Sequence, residues 1–218
     1  MNKKKLKKMV AKEVIKYIHP GMTIGVGTGS TVIYFINELK KIKNIINGTV
    51  SSSNNSTLYL RKNGIKVFDV NTINSLQIYI DSADEVDLKK RMIKGGGGAL
   101  TGEKIIAALA DIFICIVDES KQVQYLGKKF PVPIEVIPMA QSFVMQEIVK
   151  LGGIPIIRKN FVTDNGNIII DIFNLNIIDP INTEMLINSI TGVVTVGIFA
   201  KKPADLILLS NEKEVLKY

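Results

Sequence analysis

Near the N-terminus the apolar residues Leu6, Met9, Val10, Val14, Tyr17 and Ile18 recur at helical spacing, which predicts an amphipathic helix ended by His19-Pro20-Gly21. Short apolar runs then alternate with helical patterns up to residue 120. Residues 23–27 read as a strand entering a glycine-rich turn, and 30–41 as a helix with Val32, Ile33, Phe35, Ile36 and Leu39 on its buried stripe. Residues 49–52, 66–68, 77–80 and 112–117 read as strands, and 57–63 and 101–110 as helices. Strands buried on two faces show such continuous apolar runs, so the pattern predicts a Rossmann-like α/β domain, a parallel sheet with helices on both faces.

The pattern changes near Phe130-Pro131-Val132-Pro133. Strands are predicted at 134–137, 154–158, 168–173 and 193–199, and helices at 139–151 and 182–190; Asp164-Asn165-Gly166 is a hairpin signal. The order β-α-β-β-α-β is that of a ferredoxin-like α+β module. Residues 205–209 read as a strand returning to the first sheet. The expected organisation is a larger α/β domain over 1–129 and 201–218, with a small α+β domain inserted over 130–200.

Composition narrows the function classes. At 218 residues and 46% hydrophobic, the chain has ample material for a packed core and is not a disordered tail. One cysteine, Cys115, excludes a disulfide scaffold, and one histidine, His19, excludes a histidine-rich metal site and most histidine-based catalysis. The net charge of +8 owes much to Lys3, Lys4, Lys5, Lys7, Lys8 and Lys12, which read as a solvated basic helix face rather than a nucleic-acid arm. Met9-Val10-Ala11 is broken by Lys12, Glu13 and Lys16, so the N-terminus lacks a signal peptide's apolar region, and no run reaches the ~18 apolar residues of a membrane span. A soluble, cytoplasmic protein is expected.

Several predicted strands end in small, polar or acidic loops, and in an open parallel sheet ligands bind beyond the carboxyl ends of the strands. Gly25-Val26-Gly27-Thr28-Gly29-Ser30-Thr31 has Ser30 where a dinucleotide fingerprint needs its third glycine, and no acid lies about twenty residues on, at Ile45 or Ile46. A strand, a glycine-rich turn and a helix start remain; the turn is open to two readings, a phosphate site or a simple helix cap. In Asp81-Ser82-Ala83-Asp84, the paired acids suit an acid and a base pushed to different pKa values, a Mg²⁺ site, or a solvated turn. Four consecutive glycines in 95–98, between Lys94 and Glu103, signal a backbone that a ligand approaches closely. Lys94 could hold a developing oxyanion and Glu103 could carry a proton. Lys121, at a strand's carboxyl end, could pair with a phosphate or be an ordinary surface lysine.

Together these motifs resemble the A-type ribose-5-phosphate isomerase family. The likeness is carried by Gly-Val-Gly-Thr-Gly-Ser-Thr at 25–31, Asp-Ser-Ala-Asp-Glu at 81–85, Lys-Gly-Gly-Gly at 94–97, Glu103-Lys104 and Ser120-Lys121-Gln122. Val136-Ile137-Pro138-Met139-Ala140 and the stretch 162–167 add to it, in order along nearly the whole chain. The resemblance implies interconversion of D-ribose 5-phosphate and D-ribulose 5-phosphate through an enediolate, in the non-oxidative pentose phosphate branch, without metal or other cofactor. It assigns proton transfer between C2 and C1 to Glu103, oxyanion stabilisation to Lys94 and the backbone of Gly95, Gly96 and Gly97, ring opening to Asp81, and positioning to Asp84. It assigns substrate binding to Thr28, Gly29, Ser30, Thr31, Ser82, Ala83 and Lys121, with Lys7 a further phosphate candidate. The expected partners are a sugar phosphate and a second copy of the chain in a homodimer, with no nucleic acid and no membrane. Departures from the family pattern are Ser82 where glycine is usual, Gly98 where alanine is usual, Gly102 where a larger residue often stands, and an extra lysine near 128–129. A non-catalytic sugar-phosphate sensor would need neither the acids nor Glu103, and a nucleotide-dependent oxidoreductase is disfavoured by Ser30 and the missing acid.

Overall fold

The computed structural model describes residues 3–218. In chain order they form α1 (Lys3–Val14), β1 (Thr23–Val26), α2 (Ser30–Leu39), β2 (Gly48–Ser51), α3 (Asn54–Lys62) and β3 (Leu76–Asp81). The short β4 (Glu85–Val86) and β5 (Met92–Ile93) precede α4 (Leu100–Leu109) and β6 (Ala110–Asp118). Next come β7 (Val132–Val136), α5 (Gln141–Lys150), β8 (Ile154–Ile157), β9 (Ile168–Phe173), α6 (Pro180–Asn188) and β10 (Val193–Val196), then β11 (Ile198–Phe199), β12 (Leu206–Ser210) and β13 (Val215–Lys217). Two compact units result: one holds the described residues through Ala83, Gly102–Lys121 and Ala204–Tyr218, the other Asp84–Thr101 and Gln122–Pro203.

The first unit is built on a six-stranded sheet of order β13-β12-β6-β3-β1-β2. Its first five strands in sequence run parallel, with Ile24 opposite Ile78, Ile80 opposite Ile114, and Leu208 opposite Ile116. Successive side chains of a strand leave on opposite faces. Ile24, Val26, Ile78, Ile80, Ile114, Ile116 and Leu208 therefore form one layer of core with Val10, Ala11 and Val14 of α1, Phe35, Ile36 and Leu39 of α2, and Leu60 of α3. Tyr79 leaves by the other face, where its ring meets Phe113 at 4.8 Å and Ile106 of α4 lies close. The lysine-rich α1 is thus held by its apolar stripe; each fully buried aliphatic side chain contributes about 1.5–3 kcal/mol, more than the ~0.3–0.5 kcal/mol of a surface helix ion pair such as Lys16–Glu13. Cys115 is buried in β6. Among the described residues no helix is long and apolar enough to cross a membrane.

The second unit carries two antiparallel sheets. In the larger, the strands lie in the order β10-β7-β9-β8, the arrangement of a split β-α-β fold, with α5 and α6 as its helices. The Asp164-Asn165-Gly166 signal does mark the β8–β9 turn, closed by Gly166 N–H donating to the Thr163 carbonyl at 2.9 Å. Asp179 caps α6 by accepting from the N–H groups of Ile181 and Asn182, which sets its start two residues before the sequence pattern does. In the smaller sheet, order β11-β5-β4, the sequence pattern announces neither β4 nor β5, because each is two residues long, and it merges β11 with β10.

Three other expectations need correction. The run 193–199 is two strands, because Gly197 turns out of the ladder: its N–H donates to the Pro133 carbonyl at 2.7 Å and its carbonyl accepts from Lys94 N–H at 2.9 Å. Residues 66–68 form only an isolated bridge, Thr49 to Val67, rather than a strand. The N-terminal α-helix stops at Val14 and tightens into a 3-10 turn over Ile15–Tyr17. The antiparallel edge strand β13 carries no apolar run to announce it; it is pinned to α1 by Lys217–Glu13 at 3.0 Å.

Within the second unit the glycine at 98 is required twice over. Its φ is +74°, and a Cβ there would sit 2.1 Å from the Phe161 ring. Positive φ costs an L-residue about 1–2 kcal/mol, and in a domain of this size each kcal/mol moves the melting midpoint by about 2–4 °C. Gly98→Ala should therefore lower the midpoint by several degrees in calorimetry. The loss should be smaller in a Phe161→Ala background; an unchanged midpoint for Gly98→Ala would contradict the assignment.

Candidate active site

At the carboxyl ends of three adjacent strands, β2, β1 and β3, the chain places three loops that hydrogen-bond one another. The hub is Asp81, the last residue of β3 and fully buried. Its Oδ1 accepts from the backbone N–H of Thr28 at 3.0 Å and of Ser82 at 2.6 Å, while Oδ2 accepts from the Tyr79 hydroxyl. Gly27 makes room for it: a Cβ at that position would lie 1.9 Å from the Asp81 carboxyl carbon. Thr28 Oγ1 reaches across to Ser52 Oγ at 2.9 Å and Ser53 Oγ at 2.8 Å, and Ser56 Oγ donates to the Gly27 carbonyl at 2.6 Å. Ser53 also caps α3, accepting from Ser56 N–H, so the loop after β2 has a defined shape.

The glycine-rich turn of 27–29 leads into α2 at Ser30, so the helix begins without a side-chain cap. The N–H groups of that first turn and the positive end of the helix dipole suit an anion. Lys7 of α1 donates to Ser30 Oγ at 2.7 Å, which brings an ammonium to the same helix start. Ser82 does not need the conformational range of glycine, since the described non-glycine residues of positive φ are Lys90, Asn160 and Asn174. Its hydroxyl donates to the Thr28 carbonyl at 3.3 Å, adding a tie between the loops. Ala83 follows, buried, at the edge of the unit. Lys121 stands further along the sheet, partly exposed, in the 3-10 turn after β6.

Glu103 lies in the first turn of α4 and is 3% exposed. Gly102 beside it packs against the Ser52 carbonyl, which sets the first turn of α4 directly over the end of β2. Tyr79 lies within reach of the charge of Asp81 as well as that of Glu103. Burial, then the two carboxylates, then the hydrogen bond to Asp81 push its phenol well above the ordinary tyrosine range. Tyr79 therefore stays protonated and stays a donor at any working pH. The sequence pattern hid this residue, because a tyrosine inside an apolar strand reads as core.

In the second unit, Asp84, Lys94 and Gly95–Gly98 belong to one compact segment. Asp84 Oδ2 accepts from Gly96 N–H at 2.7 Å, and Asp84 N–H donates to the Ile93 carbonyl at 2.8 Å. Lys94 is 2% exposed, with its ammonium 5.5 Å from the centre of the Phe199 ring. A buried lysine is costly unless a negative partner or a π-face offsets the lost hydration. Gly95 and Gly98 both have positive φ, and Gly98 N–H closes a turn on the Gly95 carbonyl at 2.9 Å. The far end of the segment is held by the buried Glu135, which accepts from the hydroxyls of Thr101 and Thr163 and from the side-chain amides of Asn165 and Asn167. Arg158 holds the middle, donating to the carbonyls of Gly95 and Gly96, each at 3.1 Å. Neither Glu135 nor Arg158 could be singled out from the sequence, because their partners are distant along the chain.

The site residues thus divide between the units. Thr28 to Thr31, Asp81, Ser82, Ala83, Glu103 and Lys121 lie in the first; Asp84, Lys94 and Gly95 to Gly97 lie in the second. Among the described residues, no group of three or more His, Cys, Asp or Glu side chains has the arrangement of a metal site.

The model of the family described as "Ribose 5-phosphate isomerase A (phosphoriboisomerase A)" matches residues 48–214. A ribose-5-phosphate isomerase A of Buchnera aphidicola from Schizaphis graminum is 57% identical over 215 residues, covering 99% of this chain and 98% of the relative; one from Blochmanniella floridana is 55% identical over 215 residues, covering 99% and 97%. Among solved structures, the isomerase A of Neisseria gonorrhoeae superposes with a TM-score of 0.97 at 42% identity, over 99% of this chain and 96% of that one. That of Methanocaldococcus jannaschii gives 0.95 at 39% identity, over 100% and 99%. A further structure, at 39% identity and a TM-score of 0.95 over 100% of this chain and 99% of that one, is of a D-ribose-5-phosphate isomerase in complex with phospho-erythronic acid. With its fold, its loops and its full-length relatives in agreement, the chain belongs to the ribose 5-phosphate isomerase A family.

Proposed function

We propose that this protein interconverts D-ribose 5-phosphate and D-ribulose 5-phosphate by proton transfer through an enediolate. The observation that carries the reading is the pair of buried carboxylates, Asp81 and Glu103, near one always-protonated tyrosine at the carboxyl ends of the parallel strands. Membership of the family supplies the substrate class, and the phosphate-bearing ligand of a related structure has the chemistry of such a substrate.

In this reading the phosphate rests on the α2 N-terminus, held by the loop Thr28 to Thr31 with Lys7 and Lys121 as counter-charges. Asp81 takes the proton of the anomeric hydroxyl as the ring C–O bond breaks and delivers it to the ring oxygen, which becomes the free hydroxyl of the open aldose. In the open aldose, Glu103 removes the proton from C2. The C2–H electrons form the C1–C2 double bond and the C1 carbonyl electrons become an enediolate oxygen. Lys94 and the Gly95–Gly97 backbone stabilise that oxygen, and Asp84 orients the sugar hydroxyls. Glu103 then returns its proton to C1 while the O2 proton passes to O1, leaving the ketose. General acid–base catalysis supplies about 10²–10⁴-fold, so oxyanion stabilisation must provide much of the remainder. Sugar phosphates are charged and do not cross bilayers unaided, which supports a cytoplasmic location for the reaction. A homodimer is part of the same reading: Ile154 and Ile156 on the edge strand β8 are each half exposed, as apolar faces that meet a second copy are.

Glu103→Gln should lower kcat by at least 10³-fold with KM changed less than about threefold in an assay of ketose formation from ribose 5-phosphate. Near-parental kcat would remove Glu103 from the proton-transfer role. Activity should persist after dialysis against EDTA; loss that Mg²⁺ restores would instead make Asp81 and Asp84 metal ligands. Light scattering at micromolar concentration should give twice the monomer mass, and a monomer would refute the dimer.

A further inference from the structure

The Gly95–Gly97 segment can stabilise an oxyanion only if its N–H groups face the substrate, yet glycine backbone has no steric preference that would make them do so. Something must choose the orientation. A trans peptide settles the matter once its carbonyl is fixed, because C=O and N–H of one peptide point in opposite directions. The Gly95 carbonyl shares a peptide with Gly96 N–H, and the Gly96 carbonyl shares one with Gly97 N–H.

Arg158 Nη1 donates to both carbonyls at 3.1 Å. The rest of its fork is committed: Nε donates to Asp171 Oδ2 at 2.9 Å and Nη2 to Asp171 Oδ1 at 2.5 Å. Asp171 lies within β9, and Arg158 continues β8 beside it, its N–H donating to the Ile169 carbonyl at 2.9 Å. The Phe161 ring, 5.4 Å from the guanidinium carbon, fills the space over Gly98. The guanidinium is thus anchored on a sheet and not on a loop, and its side chain is 18% exposed. The Gly95 carbonyl also accepts from Gly98 N–H at 2.9 Å, and on the opposite side Asp84 Oδ2 takes the Gly96 N–H, so it is above all the Gly96 carbonyl, and with it the Gly97 N–H, whose direction rests on Arg158.

We propose that Arg158, locked on Asp171, is a positioning residue for the isomerisation: it draws the carbonyls of Gly95 and Gly96 to one side and so turns the Gly97 N–H toward the developing oxyanion. Its positive charge also polarises both peptides, which strengthens their N–H groups as donors. Only arginine fits the task. Five donors in a planar fork bind a carboxylate with two and leave others for the carbonyls, whereas a lysine ammonium is one point of charge that cannot serve both.

The inference rests on the reading of Glu103 and Gly95–Gly97 given above, and the test separates the two. Arg158→Ala, Arg158→Lys and Glu103→Gln are assayed with ribose 5-phosphate beside the parent. Loss of a direct oxyanion donor costs about 10²–10³-fold in kcat, so loss of its orientation should cost about 10- to 100-fold, with KM within threefold of the parent. Added guanidinium should restore part of the kcat of Arg158→Ala, and amide hydrogen exchange in 95–98 should accelerate. A stabilising role unrelated to the reaction would lower the melting midpoint without a selective loss of kcat and without rescue. If Arg158→Ala does not fold, Arg158→Lys carries the test through the same split between kcat and KM. Parental kcat in a folded Arg158 variant while Glu103→Gln is inactive overturns the positioning role alone. Parental kcat in Glu103→Gln overturns the mechanism on which it rests.

Discussion

The first unit depends on one carboxylate that has no freedom to move. Asp81 ends the central strand β3, and its donors include the N–H groups of Thr28 and Ser82 and the hydroxyl of Tyr79. A buried carboxylate left unsatisfied would be prohibitively costly, so those donors are as tightly constrained as the acid itself. This reciprocal demand shapes the loop after β1 and the turn after β3, and through Thr28 it extends to Ser52 and Ser53 after β2. It also explains Gly27, since any side chain there would occupy the place of the carboxylate. On the proposed mechanism, structure and chemistry share one device: the interaction that closes the loops also holds the carboxylate assigned to ring opening.

The second unit solves the converse problem. Four glycines offer a backbone little intrinsic shape, and the unit imposes one through three charged side chains spread along the chain: Asp84 before the segment, Arg158 and Glu135 from the sheet. Each reaches a different part, so the conformational entropy of the glycines is removed by side chains and not by their own sterics. Gly98 and Phe161 belong to this scheme, for the ring takes the volume a Cβ would have filled. The departure from alanine at this position is thus matched by a large residue elsewhere in the same unit.

Much of the fold was legible because burial on two faces leaves long apolar runs: β1, β3, β6 and β12 stand within a residue or two of where the pattern puts them, and the helices between are all present, with α3 and α6 starting earlier. What could not be read were elements whose cause is remote. The two-residue strands β4 and β5 arise from their pairing with each other and with β11, which Gly197 separates from β10, and β13 follows the edge of β12. The site shows the same division. Residues in glycine-rich or acidic loops announced themselves, while Tyr79, Glu135 and Arg158 did not, since their roles arise from partners that lie 2 to 63 residues away and from the face each side chain takes.

The sheet order has a consequence for how the chain is made. β6, at residues 110–118, pairs on one side with β3 and on the other with β12, which begins only at Leu206. Between them lies most of the second unit. A ribosome must therefore synthesise that whole module while β6 presents an open, apolar edge, the kind of surface on which strands of other molecules add. Arrival of the final segment, Leu206–Ser210, is what seals the exposed edge.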